Sequence, residues 1–210
     1  MARGKFITLE GGEGAGKSTQ ARRLAARLET QGLKTVVTRE PGGAPGAEVI
    51  RELLVKGETG RWAPRTEALL HFAAREEHLA RTIRPAIARG DWVISDRFVD
   101  STMAYQGVGQ GLGAAFIDNL REIVVGSDMP ALTLILDLPP ETGLARAAGR
   151  ATAGEDRYER MDLEFHQTLR QAFLDIAKNE PMRCFVVDAA RSEEAVAADI
   201  WEIVKARLLP

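Results

Sequence analysis

Along the chain the spacing of apolar positions changes repeatedly. Five short runs rich in β-branched and aliphatic residues have the length of strands: Lys5 to Glu10, Lys34 to Thr38, Asp91 to Asp96, Ala131 to Leu138 and Arg183 to Asp188. Between them apolar residues recur every three or four positions, as a helix with one buried face requires. Lys17 to Gln31 carries Leu24 and Leu28 on one face and meets Gly32, a natural stop. Ala47 to Val55, Thr66 to Arg84, Ala114 to Val125, Glu141 to Ala148 and Phe165 to Lys178 also read as helices, with Pro85 and one further turn following the second of these. Ser192 opens a last helix striped by Val196, Ile200, Ile203 and Val204. Strands alternating with helices of this length predict an α/β fold: a mostly parallel five-stranded sheet between two helical layers.

The 210 residues suffice for a single domain, 1–210, with a full core, and no repeat, low-complexity tract or linker divides them. An apolar fraction of 45% with 28% charged residues is that of a globular chain. The net charge of −2 gives no global attraction to nucleic acid or to an anionic membrane, so a polyanion must be held by a local cluster. The single cysteine, Cys184, excludes an intrachain disulfide, fits a reducing compartment and reads as buried filler in the last strand. Met1 to Gly4 has no signal-peptide pattern and no apolar run approaches roughly 18 residues. The expectation is a cytoplasmic protein without nucleic-acid or membrane partners.

Chemistry enters directly after the first strand. Gly11-Gly12-Glu13-Gly14-Ala15-Gly16-Lys17-Ser18 is a complete G-x-x-x-x-G-K-S phosphate loop in the strand, loop, helix context that the motif needs. Its small residues let backbone N–H groups point inward at phosphate oxygens; Lys17 meets the outer phosphates and Ser18 offers a hydroxyl to Mg²⁺. In such sheets ligands gather at the carboxyl ends of the strands. There the second strand runs into Arg39-Glu40 and the tight turn Pro41 to Gly43, and the third ends in Asp96-Arg97-Phe98. Arg97 is placed to grip a phosphate, while Asp96 either reaches magnesium through water or orients Arg97. Phe72 and Arg75, three apart on one helix, offer a ring and a guanidinium to a planar base. Ser101, Thr102, Tyr105 and Gln106 supply polar reach for a nucleoside. Gly149 to Arg160 is the longest stretch poor in apolar residues and carries Arg150, Arg157 and Arg160, with Arg146 just before it. It reads as a mobile lid at about 146–160 that closes over a triphosphate, or as a solvated charged loop, since Glu155, Asp156 and Glu159 interleave the arginines.

Taken in order, GGEGAGKS, TREPGG, HFAAREEH, DRFVDSTMAYQG, LILDLPPETGLARA and DRYE resemble the thymidylate kinases of the bacterial type, a likeness that runs from Phe6 to about Lys178. The resemblance implies a P-loop NTPase fold of the nucleoside monophosphate kinase kind. It further implies transfer of the γ-phosphoryl group of ATP to dTMP with Mg²⁺, and a homodimer. On that resemblance Gly11, Gly12, Glu13, Gly14, Ala15, Gly16, Lys17, Ser18 and Thr19 hold ATP, and Arg39 and Arg97 bind the dTMP phosphate. Thymine stacks on Phe72 and hydrogen-bonds to Arg75, with Ser101 or Thr102 and Gln106 nearby, while Tyr105 lies beneath the deoxyribose. Ser18, Glu40 and Asp96 arrange Mg²⁺ and its waters. Glu13 stands at the loop position where the other subtype of the family has arginine. The resemblance therefore assigns the catalytic arginine to the lid, where Arg150 and Arg157 join Lys17, Arg97 and Glu13 as the catalytic set. The competing readings are a kinase of the same fold acting on another nucleoside monophosphate or small metabolite, a GTP switch or motor ATPase, and a nucleic-acid-binding ATPase. Against the switch and the motor, the chain has neither N-K-x-D nor an apolar run ending in Asp-Glu.

Overall fold

The computed structural model describes residues 4–148 and 157–209. Strands β1 (Phe6–Glu10), β2 (Thr35–Arg39), β3 (Trp92–Asp96), β4 (Leu132–Asp137) and β5 (Cys184–Asp188) form one parallel sheet in the order β2-β3-β1-β4-β5. Each strand begins one residue later than its apolar run suggests, because the leading residue belongs to the connection. Strands β1, β3 and β4 are buried almost throughout, whereas the edge strand β2 is half exposed. Two covered faces explain why the inner strands read as continuous apolar runs rather than as alternating ones.

Period two divides β1 between two cores. Ile7 and Leu9 face α1 (Lys17–Glu29) and the C-terminal helix, where Leu24, Leu28, Val196, Ile200, Trp201 and Val204 close one layer. Phe6 faces the other way, into a cluster with Phe72, Leu79, Ile83, Phe98 and Ile117. After α2 (Pro45–Val55) comes α3 (Pro64–His78), which passes through a widened π-helical turn, Leu79–Ile83, into α4 (Arg84–Ala88). The helix expected to end at Arg84 continues through Pro85. Arg84 N–H reaches back to the Leu79 carbonyl, and this wider turn relieves the clash that a proline ring makes with the preceding turn of a regular helix.

The sequence pattern shows no helix after β3, yet α5 (Val99–Thr102) continues as a π-helical segment, Met103–Gly109. Its hydroxyl- and glycine-rich composition has no helical period, and the burial of Ala104, Tyr105 and Gln106 holds it instead. Then come α6 (Ala114–Val124), α7 (Pro140–Ala148), α8 (Leu163–Asn179) and α9 (Glu193–Leu208). Ser192 caps α9, its hydroxyl accepting from Ala195 N–H at 3.3 Å. Trp201 rather than Ile203 completes the buried stripe of that helix. The chain leaves β1 for β2, returns to β3 beside β1, and places β4 on the other side. This switch point sits at the carboxyl end of β1, where an open α/β sheet binds its ligands. Among the described residues no helix is long and apolar enough to cross a membrane.

Candidate active site

The loop after β1 turns on two left-handed glycines, Gly14 (φ 68°) and Gly16 (φ 89°). Space as well as φ demands glycine at the first: a Cβ on Gly14 would lie 2.0 Å from the Gly143 carbonyl oxygen of α7. Loop and helix thus touch backbone to backbone. Lys17 opens α1, and its buried Nζ donates to the carbonyls of Gly11 (3.1 Å) and Gly12 (2.7 Å). Burial and the neighbouring Arg97 push its ammonium down to about 8, although Glu13 and Asp96 oppose this. The exposed Ser18 hydroxyl donates to the Asp96 carboxylate, which brings two oxygen donors together at the mouth of the loop.

Opposite the loop, Arg97 spans the site. Its Nη1 donates to Gly11 O and Ser101 Oγ, both at 3.0 Å, and its Nη2 donates to Glu13 Oε1 and the Tyr105 hydroxyl, both at 2.9 Å. Tyr105 in turn donates to Glu13 Oε1 at 2.7 Å. Burial alone would push the Glu13 carboxyl up, but Arg97, Lys17 and the Tyr105 hydroxyl together hold it down at about 2. The carboxylate stays ionised, and the guanidinium lies 5.0 Å over the Tyr105 ring.

Arg75 is 1% exposed, donates Nε to Glu40 Oε2 at 2.8 Å and Nη2 to Thr102 Oγ1 at 3.0 Å, and lies 4.7 Å over Phe72. Its Nη1 has no hydrogen-bond partner although Arg75 lines the cavity. A buried donor left open in this way calls for a ligand acceptor. Glu40 departs from its expected place beside magnesium: Oε2 is taken by Arg75, Oε1 lies 3.0 Å from His78 Nδ1, and the residue is 6% exposed. With both oxygens committed, it supports Arg75 instead. Arg39 is exposed at the rim, where it pairs with Glu48 at 3.0 Å.

Two further expectations are corrected. Phe72 lies in the core beneath Arg75 and does not line the cavity; the ring of α3 that does is His71, one residue and one helical step away. Its Nε2 is 3.0 Å from the Tyr158 hydroxyl, and burial together with Arg75 and Arg157 pushes the imidazole down to about 3, so it is neutral. Arg157 is 2% exposed and points away from the loop. It donates to the carbonyls of Glu58 (2.9 Å), Leu54 (3.0 Å) and Thr59 (2.7 Å) and pairs with the buried Glu67 carboxylate. A guanidinium whose three nitrogens all donate to α2, the loop after it and Glu67 is a structural tie and is not presented to a transferring phosphoryl group. Arg150 and positions 149–156 of the expected lid lie outside the described residues; before them, Arg146 donates to Ala189 O at 3.2 Å.

Glu67 is the hub that the sequence reading missed. It is fully buried and accepts from Gln106 (2.8 Å), Gln110 (2.6 Å) and Tyr158 (3.0 Å) besides Arg157. A signal was available: Glu67, His71, Arg75 and His78 are spaced four, four and three along α3, a polar stripe beside the apolar one of Ala68, Phe72 and Leu79. One cavity of about 280 Å³ runs from Gly14 to Ser18, past Arg97 and Tyr105, to His71, Arg75 and Gln106.

A phosphate loop at the switch point of a parallel sheet, sharing one cavity with a buried arginine floor, defines the class: a P-loop phosphotransferase fold with room for a second, anionic ligand beside the loop. The comparisons narrow this class. A family profile described as thymidylate kinase matches residues 9–200. The chain is 56% identical over 208 residues to the thymidylate kinase of Caulobacter vibrioides, covering 99% of each, and 48% identical over 209 residues to that of Bradyrhizobium diazoefficiens, covering 99% of this chain and 92% of the relative. The crystal structure of thymidylate kinase from Ehrlichia chaffeensis superposes with a TM-score of 0.78 at 36% identity, covering 97% of this chain and 99% of that one. The chain belongs to the thymidylate kinase family.

Proposed function

We propose that this protein transfers the γ-phosphoryl group of ATP to dTMP, giving dTDP and ADP. The observation that carries the reading is the single cavity joining the phosphate loop to Arg97, Tyr105 and the open Nη1 of Arg75. Gly11 to Thr19 bind the ATP phosphates, Lys17 leaving the carbonyls of Gly11 and Gly12 to meet them. Arg97 and Arg39 hold the acceptor phosphate. Arg75, with Thr102 and Gln106, reads the base, and His71 takes the place at its face that Phe72 does not reach. Tyr105 underlies the sugar and disfavours a 2′-hydroxyl.

Ser18 and Asp96 supply hard oxygen donors of the kind Mg²⁺ takes, and among the described residues no cluster of three or more His, Cys, Asp or Glu competes for a metal. Ser18 and Asp96 would hold Mg²⁺, which would supply neutralisation of phosphate charge. The residues do the positioning. The acceptor phosphate oxygen is already nucleophilic, so no general base is assigned; Lys17, Arg39 and Arg97 bring two mutually repelling anions into line. Glu13 keeps Arg97 and Tyr105 at the acceptor side. With Arg157 committed to structure, Arg150 remains of the two lid arginines in the catalytic set for the transition state. A homodimer is part of the proposal, supported by Val49 (68% exposed) and Leu69 (52% exposed) on the contacting helices α2 and α3.

The test is steady-state turnover with ATP and, in parallel, dTMP, dUMP, CMP, UMP and AMP. The expected result is the highest kcat/KM with dTMP; faster turnover of any other acceptor overturns the assignment.

A further inference from the structure

Among the described residues Arg97 is the one non-glycine in the left-handed region, at φ 73°. Such a conformation is unfavourable for a residue with a Cβ and persists only where its surroundings over-determine it. The surroundings here are specific. Arg97 N–H donates to Leu9 O at 2.9 Å, and Arg97 O accepts from Ser95 Oγ at 2.8 Å. The next amide, Phe98 N–H, donates to Glu10 Oε1 at 2.7 Å, while the Phe98 ring is buried edge-on to Phe6 at 4.9 Å. The second Glu10 oxygen accepts from Ser101 Oγ at 2.5 Å, and Ser101 Oγ accepts from Arg97 Nη1 at 3.0 Å. Glu10, fully buried at the end of β1, therefore reaches Arg97 twice: at its backbone through Phe98 and at its guanidinium through Ser101.

We propose that Glu10 is a positioning residue for the acceptor phosphate, fixing the backbone and the guanidinium of Arg97 from beneath. One carboxylate directly preceding the phosphate loop then sets the arginine across from it. Removing the acceptor at Glu10 releases the Phe98 amide and the Ser101 hydroxyl, lets the turn relax from its left-handed conformation and swings the guanidinium off line. Lys17 is held by the carbonyls of Gly11 and Gly12 rather than by Glu10 or Ser101. The inference rests on the reading that Arg97 holds the acceptor.

The experiment measures KM for dTMP and for ATP, the dissociation constant of a non-hydrolysable ATP analogue, and the melting temperature for Glu10→Leu and Glu10→Gln, with Arg97→Ala as control. Glu10→Leu should raise the dTMP KM by about tenfold or more while analogue binding changes by less than about twofold. Glu10→Gln keeps an oxygen for the Phe98 amide and should recover most of the loss. An equal change in both KM values, or an unchanged dTMP KM with a lowered melting temperature, overturns the inference. Should Glu10→Leu fail to fold, the double cycle of Glu10→Gln with Ser101→Ala decides: coupled effects on the dTMP KM support the link, additive ones refute it. An Arg97→Ala variant with unchanged dTMP KM would instead sink the acceptor-site reading itself.

Discussion

Arg75 has two duties that a substitution separates. Its Nε is paired with a carboxylate that is itself 4% exposed, and its Nη1 is open toward the cavity. Arg75→Ala leaves Glu40 with His78 as its remaining partner among the described residues, and breaking a buried pair from one side costs about 3 kcal/mol or more. The same change removes the donor proposed for the base. The expected outcome is a lower urea midpoint together with a raised dTMP KM, the dissociation constant for ATP staying nearly constant. Equal weakening of both substrates would place Arg75 elsewhere in the mechanism. Motif spacing reveals Arg75, Arg97 and Lys17 because their neighbours in sequence are also neighbours at the site. It misses His71 because adjacent helix positions differ by about 100°, and an aromatic is drawn to the cavity by expectation when packing has already claimed it for the core. Glu40 is legible as functional, but its commitment to Arg75 and His78 arises from contacts 35 and 38 residues away.

Between elements, the polar stretch ending at Arg160 is read from composition as free along its length, yet its Arg157 is tied to α2 and α3. Helix α2 stops at Val55 with Lys56 extended, leaving late carbonyls without helical partners, and Arg157 supplies the donor for Leu54. Two loop carbonyls and the buried Glu67 take the N–H groups of its Nε and Nη2. Composition cannot show this, because an arginine that satisfies distant backbone groups looks the same in sequence as one awaiting a phosphate. Arg157→Ala should therefore lower stability by about 3 kcal/mol, with the acceptor and ATP KM values changing together through the loosened α2–α3 end. Urea unfolding and steady-state kinetics on the same preparation check it. A variant with wild-type stability and a selectively reduced kcat would return Arg157 to catalysis. The segment Met103–Gly109 was hidden for the converse reason: long-range burial of Tyr105 and Gln106, not local periodicity, makes it helical.

Across the whole molecule, strand number, parallel pairing and both helical layers were legible, since each rests on periodicity and on the handed connections that short parallel strands require. The buried charges that set the acid stability were not, because their pKa values come from the assembled site. Three groups act in opposite senses. His71 is held down at about 3 against an ordinary 6.5, so the stability it contributes is present above 6.5 and is lost as the pH falls toward 3. Glu13, held down at about 2 against 4.5, contributes above 4.5 and loses that contribution toward 2. Burial pushes Glu10 up to about 7, with Asp100 adding to it, so its contribution is complete below 4.5 and is lost as the pH rises through 7. Between 4.5 and 6.5 the unfolded chain binds one proton more at His71 and one fewer at Glu10, and these slopes cancel. Below 4.5 His71 and Glu13 act together, giving a slope of about 2.7 kcal/mol per pH unit, twice that of one proton. Urea unfolding from pH 3.5 to 7 should accordingly show a shallow dependence above pH 4.5, where the lowered His166 adds stability as the pH rises, and a steeper acid limb below it, to which Glu180 adds. His71→Phe removes one partner of the cancellation: relative to wild type its profile should lose the slope of one proton, about 1.4 kcal/mol per unit, between pH 3 and 6.5. A variant that leaves the profile unchanged would mean that His71 exchanges protons with solvent in the folded state and is not the neutral ring at the face of the base.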